Sequence, residues 1–278
     1  MARAAKTRTP RSWRAATRVG PDRLGISSAP QVAMDGSGNA MAVWVHSESG
    51  REHIGVNRWL SGIGWGVPEQ LPAEGEGGAG FARVAMGAKG NALVVWRQFD
   101  NQRRSIWAKR YVLGVGWEAA EAVASDAYSD ADAPQVCVNA AGDALVLWRQ
   151  FDGIGRNIWA RRLDAAQGWG EAMVIGAVKT ATAFDPQIAM DAAGNAMAVW
   201  TRSNSRRSTV WSNRYTARRG WGEAAPIETD RASTSIFPKV AVDSRGGALA
   251  VWEQSDGLRC QIAASRYSAR IGWGAPEL

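Results

Sequence analysis

The chain has 278 residues, of which 46% are hydrophobic and 21% are charged, and these ordinary values exclude general disorder and a fibrous protein. No stretch approaches the roughly 18 consecutive apolar residues of a membrane-spanning helix. Two cysteines are too few for a disulfide framework or a four-cysteine zinc site. The unusual feature of the composition is its 15 tryptophans.

The basic charge is concentrated at the N-terminus. The net charge is +7, and residues 1–18 contain six Arg or Lys side chains and no acid. The rest of the chain is almost neutral, so it offers no basic surface for a phosphate backbone and does not indicate a nucleic-acid partner. We interpret residues 1–12 as a flexible basic tail. The first twenty residues show no secretory signal, which leaves a cytoplasmic protein or one whose leader has been removed.

The tryptophans fall on columns that repeat every 52 residues. One column contains Trp44, Trp96, Trp148, Trp200 and Trp252. Another contains Trp13, Trp65, Trp117, Trp169, Trp221 and Trp273. We therefore predict one domain over residues 13–278, with repeats at 13–64, 65–116, 117–168, 169–220 and 221–272 and a partial copy at 273–278.

Each repeat contains four short strands. The first two, as in PQIAMDAAGNAMAVW from Pro186, are apolar on both faces and flank a hairpin turn built on Asp and Gly. The third strand alternates in polarity, as in Ile106–Tyr111, and the fourth is the most polar. Polarity therefore rises from the first to the fourth strand, as it would if the first strand lay at a central axis and the fourth at the rim. This pattern predicts an all-β, five-bladed propeller of four-stranded antiparallel blades. A solenoid is the alternative, but the repeats lack short parallel rungs.

The two ends of the chain each carry a fourth-strand sequence, SWRAATRV from Ser12 and GWGAPEL from Gly272. Either copy would complete the last blade and remove an exposed sheet edge, and one of them is then surplus. We expect a monomeric ring, with assembly through the terminal strands as the alternative.

The segments PQVAMDGSGNAMAVW from Pro30 and FPKVAVDSRGGALAVW from Phe237 resemble the first half of NHL-type propeller repeats. They are also similar, more loosely, to the Asp-box hairpins of sialidase-type propellers in bacteria, although the Ser or Thr before the Asp is missing. The resemblance covers about half of each repeat. It implies the propeller fold and does not by itself imply an activity.

The loops before the first strand and between the second and third strands lie on one face of the predicted ring, where we expect a binding surface. Aromatic platforms, carboxylates and guanidinium groups of these segments are the candidate glycan contacts: Trp107, Trp159, Trp211, Asp100, Asp152, Asp256, Arg104 and Arg156. Ordinary packing of the tryptophans and capping of turns by the aspartates are the alternative interpretations.

Near-equivalent repeats favour several similar sites that gain affinity by multivalency. We therefore expect a non-catalytic, lectin-like glycan-binding module, with a protein-interaction scaffold and a propeller-type glycosidase as alternatives. A glycosidase needs two carboxylates in different environments at one place, whereas the repeated Asp residues occupy turns on the opposite face. His46 and His53, placed in one loop without Cys or carboxylate partners, do not indicate a metal site, and we predict no cofactor.

Overall fold

The computed structural model describes residues 15–22, 24–71, 78–99, 102–124, 129–176, 181–228 and 233–277. These ranges contain 23 β-strands in five antiparallel sheets, which confirms the all-β prediction. Within them, no helix has the length and apolar character that crossing a membrane requires. The basic tail at residues 1–12 lies outside the described residues, as does Trp13.

The strands follow the repeats. Sheet 1 contains β1 (Ile26–Met34), β2 (Ala40–Glu48), β3 (Arg51–Leu60), β4 (Gly64–Trp65) and β5 (Glu69–Leu71). Sheet 2 contains β6 (Ala79–Met86), β7 (Ala92–Phe99), β8 (Arg104–Val112) and β9 (Gly116–Ala122). Sheet 3 contains β10 (Ala131–Val138), β11 (Ala144–Phe151), β12 (Arg156–Asp164), β13 (Gly168–Trp169) and β14 (Met173–Val174). Sheet 4 contains β15 (Thr182–Met190), β16 (Ala196–Ser203), β17 (Ser208–Thr216), β18 (Gly220–Trp221) and β19 (Ala225–Pro226). Sheet 5 contains β20 (Thr234–Val242), β21 (Ala248–Ser255), β22 (Cys260–Ser268) and β23 (Gly272–Trp273).

Each sheet has the predicted order of four strand positions. The fourth position is one strand in sheet 2 and two short pieces in sheets 1, 3 and 4, both paired with the third strand. The first strands of consecutive sheets pack next to one another, from β1 through β6, β10 and β15 to β20. The first strands therefore form one continuous row from sheet 1 to sheet 5, and β1 at the start of the row is mostly exposed, so a central axis within a closed ring stays a prediction.

The hairpin between the first and second strands forms as its sequence predicts. In sheet 1, the Asp35 carboxylate accepts hydrogen bonds from the backbone N–H groups of Ser37 and Asn39, at 2.8 and 2.9 Å. Gly38 has a φ of 82°, which is strained for residues with a side chain. The same turn joins β20 to β21, where Asp243 takes the place of Asp35.

The sheets pack face to face through the tryptophan columns. We call the side of each sheet that carries Trp44 or its equivalent the Trp face, and the other side the back face. The back face of sheet 1, with Met41 and Val43, packs on the Trp face of sheet 2, with Val94 and Trp96. The later sheets repeat this contact, and Trp96, Trp148, Trp200 and Trp252 are each only 1% exposed. The Trp44 column therefore lies in the core, whereas the tryptophans of the Trp65 column are half-buried.

The two end sheets each keep one face exposed. On the Trp face of sheet 1, Val32 and Met34 are 65% and 63% exposed. On the back face of sheet 5, Ile262 is 64% exposed, whereas its equivalents Ile106 and Ile158 are fully buried. Identical repeat positions thus differ in burial only because a neighbouring sheet covers some of them.

The two terminal fourth-strand copies have separate places. At the C-terminus, β23 pairs with β22 and Glu277 bridges Ala264, so this copy completes sheet 5. At the N-terminus, the Val19 carbonyl accepts a hydrogen bond from Asn57 Nδ2 at 2.8 Å, as the Ile175 carbonyl does from Asn213 at 2.9 Å. Val19 therefore occupies on sheet 1 the place that Ile175, which follows the last strand of sheet 3, occupies on sheet 4.

The placement of His46 and His53 in a loop is wrong. Strands β2 and β3 continue to a two-residue turn at Ser49 and Gly50, whose φ values are 53° and 78°. Two positive φ values match the twist of a tight hairpin, so the strands stay paired to their ends. His46 and His53 face each other across this pair.

Candidate functional site

A group of charged side chains lies at one end of the sheets. We call the end where the first strands begin and the second strands end the loop end. Its charged cluster draws on four sheets, and its members are Arg97, Asp132, Arg149, Arg156, Asp185 and Lys239. Because consecutive first strands pack together, Asp132 and Asp185 in the first halves of β10 and β15 come close to residues of the neighbouring strands, and Lys239 in the middle of β20 acts on Asp185.

Asp132 is held by two arginines. Arg149 donates a bidentate pair of hydrogen bonds to its carboxylate, with Nε at 2.7 Å from Oδ1 and Nη2 at 2.5 Å from Oδ2. The Arg156 guanidinium lies 3.7 Å from Oδ2. Only about a fifth of the Asp132 and Arg149 side chains is exposed, so the pair is shielded from much of the solvent. The hydrogen bonds to Asp132 raise the pKa of Arg149 although its burial lowers it.

Asp185 has a different environment. It occupies the bulge of β15, where the register shifts between Phe184 and Gln187 and its own φ is 50°. Burial raises the pKa of its carboxyl above the ordinary value of 3.8, and the charges of Arg149 and Lys239 only partly oppose this effect. A carboxyl of this kind holds its proton to higher pH than an exposed one.

Arg149 interacts with both carboxyl groups. It is bonded to Asp132, its charge acts on Asp185, and its guanidinium lies over the Phe184 ring at 5.1 Å. Phe184 also lines a cleft of about 400 Å³ between sheets 3 and 4, together with Thr182, Ser203 and Asn204. The cleft therefore combines an aromatic ring with hydroxyl and amide groups, as sites for polar ligands do, and the Phe184 ring connects it to Arg149.

Positive charge extends from the cluster towards sheet 2. Arg97 lies over the Phe81 ring at 4.4 Å, and Phe81 is itself 47% exposed. Burial and the nearby Arg104 lower the pKa of Arg97, against the opposing charges of Asp132, Glu52 and Asp130. Arg104 is bound to Asp130 through its backbone N–H, at 2.8 Å, and its guanidinium, at 3.3 Å.

The predicted tryptophans are half-buried side chains of the third strands. Trp159 stacks on Trp148 with the ring centroids 6.4 Å apart, and Trp107 packs against the core between sheets 1 and 2. Trp211 lies under the Arg202 guanidinium, at 4.2 Å, and its indole N–H donates to the Thr209 hydroxyl at 2.9 Å. Their role as sugar platforms stays a prediction.

The predicted aspartates occupy turns at the loop end. Asp152 accepts hydrogen bonds from the N–H groups of Ile154 and Gly155 and from Asn157 Nδ2, at 3.0, 2.9 and 2.6 Å. Partial burial raises the pKa of Asp152, but these hydrogen bonds together outweigh it and lower the pKa below its ordinary value. Asp256 accepts from the N–H groups of Leu258 and Arg259, both at 2.8 Å. Asp100 lies outside the described residues. Of the predicted residues that the structure describes, Arg156 is a member of the charged cluster.

Sequence reasoning missed Asp132, Arg149 and Asp185, although a signal for them existed. Asp185 stands in a repeat column that otherwise holds Ala29, Phe81, Ala133 and Phe237. Asp132 stands in a column with Ser28, Gly80, Phe184 and Ile236. Asp132 and Asp185 thus interrupt columns of other residues, whereas the aspartates of the first hairpin turn recur in three of the five repeats, at Asp35, Asp191 and Asp243. Among the described residues, no group of three or more His, Cys, Asp or Glu is placed to hold a metal ion.

No protein-family model matches the chain, and no curated protein matches it in sequence. Its fold is similar to that of the polysaccharide lyase Uly1, at a TM-score of 0.60 and 11% identity over 84% of this chain and 69% of the lyase. It is also similar to the leech intramolecular trans-sialidase, at 0.55 and 8% identity over 91% of this chain and 60% of that enzyme. A third similar structure is the GH93 α-L-arabinofuranosidase of Fusarium graminearum, at 0.52 and 10% identity, with 89% and 79% covered.

These similarities, together with the five sheets, define a propeller-type fold. They also correct the functional prediction. The expectations of a non-catalytic glycan-binding module and of a protein that is not an enzyme are contradicted, because these neighbours are named as a lyase, a trans-sialidase and an arabinofuranosidase. The prediction considered only the acids of the repeated turns, whereas Asp132 and Asp185 each occur in a single sheet.

Proposed function

We propose that this protein is a carbohydrate-active enzyme on a five-bladed propeller, and that it cleaves glycosidic bonds at the charged cluster of its loop end. The observation that carries the proposal is the pair of carboxyls in unlike environments: Asp132, ion-paired to two arginines, and Asp185, whose pKa burial raises. Two titratable groups with divergent environments are the pattern expected of a general acid and its anionic partner. The neighbours' enzymatic names support the same class of reaction.

In this proposal Asp185 is the general acid. Its protonated carboxyl donates a proton to the glycosidic oxygen as the bond to the anomeric carbon breaks. The Asp132 carboxylate stabilises the positive charge that develops on the sugar ring, and Arg149 fixes its orientation through two hydrogen bonds. Phe184, Ser203 and Asn204 in the adjacent cleft provide one aromatic surface and polar groups for a sugar ring and its hydroxyls.

The test is the release of reducing ends from a panel of polysaccharides and oligosaccharides by the purified protein. Once a substrate is found, Asp185→Asn should lower kcat by at least about 100-fold, because general acid catalysis contributes about 10² to 10⁴. The loss should be smaller on aryl glycosides, whose good leaving groups need less protonation. Asp132→Asn should lower kcat for both kinds of substrate.

The matched control is Asp243→Asn, in the hairpin turn at the opposite end of sheet 5. Sheet 3 already has Asn139 at the equivalent position, so the turn accepts an asparagine. This variant should retain the wild-type activity. The proposal is overturned if the wild type cleaves no glycan of the panel, or if Asp185→Asn cleaves its substrate at the wild-type rate.

A further inference from the structure

Sheet 1 carries a serine, a histidine and a glutamate next to one another on one face, namely Ser27, His46 and Glu48. The Ser27 hydroxyl lies 3.1 Å from His46 Nδ1, and the other ring nitrogen, Nε2, lies 4.0 Å from a carboxylate oxygen of Glu48. The His46 ring is buried, with 3% of the residue exposed, and Nε2 has no hydrogen-bond partner among the described residues. The order is that of a nucleophile, a base and a group that orients the base.

The local fold brings these residues together. Strands β1 and β2 pair Ser27 directly with His46, and Glu48 follows two residues later on the same Trp face. Gly25 has a φ of 127°, and a Cβ on it would lie 2.7 Å from His46 Cε1 and 2.8 Å from Nε2. The ring keeps its position only because residue 25 has no side chain.

The arrangement is peculiar to sheet 1. Sheets 2, 3 and 5 have a glutamine in place of His46, and in each its Oε1 accepts a hydrogen bond from the core tryptophan. In sheet 5 the equivalent of Ser27 is Ser235, which is fully buried and bonds to Glu228. Ser27, by contrast, is exposed.

Ser27 opens onto an apolar cavity. The cavity has a volume of about 450 Å³ on the exposed Trp face of sheet 1, and its walls include Val19, Pro30, Val32 and Trp44. The β1 bulge between Ser28 and Gln31 borders this cavity, whose walls include both of these residues.

From this geometry we propose that Ser27, His46 and Glu48 form a second hydrolytic site, which cleaves carboxylic esters with an apolar acyl or aryl group in the cavity. The site does not rest on the proposed glycosidase function, because it uses none of the charged cluster. Ser27 is the nucleophile, His46 the general base and acid, and Glu48 the residue that orients the imidazole.

The reaction has two steps, with water as the second reactant. His46 Nδ1 takes the proton of the Ser27 hydroxyl as Oγ forms a bond to the ester carbonyl carbon. The bond from that carbon to the alkoxy oxygen then breaks, and His46 returns the proton to the leaving alcohol. Water attacks the acyl-serine, again losing a proton to His46, and the bond to Oγ breaks as the proton returns to Ser27. The products are one alcohol and one carboxylic acid.

The first experiment combines labelling with kinetics on the full chain. A fluorophosphonate probe followed by peptide mass spectrometry should label Ser27 and leave the buried Ser235 unmodified. Hydrolysis of p-nitrophenyl butyrate should fall by at least about 100-fold in Ser27→Ala and in His46→Gln, since each removes a reacting group. Glu48→Gln should lower kcat while leaving KM unchanged, and it should alter the pH profile, as expected of a positioning residue.

His46→Gln also separates catalysis from folding. Glutamine is the residue that sheets 2, 3 and 5 carry at this position, and it would give an acceptor to Trp44 Nε1, which has no hydrogen-bond partner among the described residues. This variant should therefore unfold at the wild-type temperature or above it. Ser47→Ala, next to His46 but on the back face of β2, is the control expected to keep full activity.

Two results would overturn the proposal. One is a probe that labels no serine or a serine other than Ser27. The other is a Ser27→Ala variant, folded by circular dichroism, that hydrolyses the ester at the wild-type rate. Loss of ester hydrolysis in these variants with unchanged glycan cleavage would support it, whereas Asp185→Asn should show the reverse.

Discussion

A pair of isoleucines at the same repeat position measures how much a neighbouring sheet contributes to stability. Ile158 in sheet 3 is fully buried and Ile262 in sheet 5 is 64% exposed, although the two residues are 104 positions apart in an unbroken repeat. Ile158→Ala should lower the free energy of unfolding by about 2 to 5 kcal/mol, the usual cost for a buried residue of this size.

The expected effect of Ile262→Ala is much smaller. Full burial of an isoleucine side chain stabilises a protein by about 1.5 to 3 kcal/mol, and about a third of this burial remains at position 262. The variant should therefore lose about 0.5 to 1 kcal/mol. Both substitutions remove the same atoms from the same strand position, so the difference between them isolates the covering sheet.

Urea unfolding followed by tryptophan fluorescence measures both values. With a slope of about 3 kcal/mol per molar, a loss of 3 kcal/mol moves the midpoint by about 1 M urea. Equal shifts for the two variants would refute the reasoning, since they would mean that the back face of sheet 5 is covered in solution. An intact slope in both variants is the check that the native state has not changed otherwise.

Three further predictions follow from buried polar groups. Gln150→Leu should cost about 1 to 3 kcal/mol in urea unfolding, because it leaves the buried Trp148 Nε1 without the acceptor that it has at 2.6 Å; an unchanged midpoint would contradict this. Burial raises the pKa of Cys137 to about 12, so iodoacetamide at pH 8 should modify only Cys260 in the native protein and both thiols after denaturation. Asp185→Asn should be more stable than the wild type at pH 7, with the difference disappearing below pH 3.8: a raised native pKa means that stability falls as pH rises through that value, and asparagine has no proton to lose. Thermal melts of both proteins from pH 3 to 8 test this sign.

The regular parts of the molecule follow from local sequence. Alternation and apolar runs place the strands, and Asp35 with Gly38 specifies a tight turn whose hydrogen bonds close within four residues. The constant 52-residue spacing within each tryptophan column predicts that successive sheets present the same surfaces to one another. These features depend only on residues close in sequence or on the equivalent residue 52 positions away, so they can be predicted from the sequence pattern.

The candidate site does not follow from the repeat pattern, because its residues belong to different repeats and interrupt the columns. Asp132 and Arg149 meet across β10 and β11, whereas Asp185 comes from the next sheet. The raised pKa of Asp185 depends on its burial. The other residues of its repeat column are Ala and Phe, and they do not indicate that an acid at this position would be buried. The turn at Ser49 and Gly50 likewise moved His46 from an expected loop into a strand beside Ser27.

The sequence by itself determined the all-β class, the 52-residue unit, the hairpin turns and the tryptophan columns, because each is specified by short-range periodicity or by translation of one unit along the chain. Only the tertiary structure decided which repeat faces stay exposed, where each terminal strand lies and which carboxyls lose solvent. Those properties depend on contacts between sheets, and equivalent residues such as Ile158 and Ile262 acquire different energies from different neighbours.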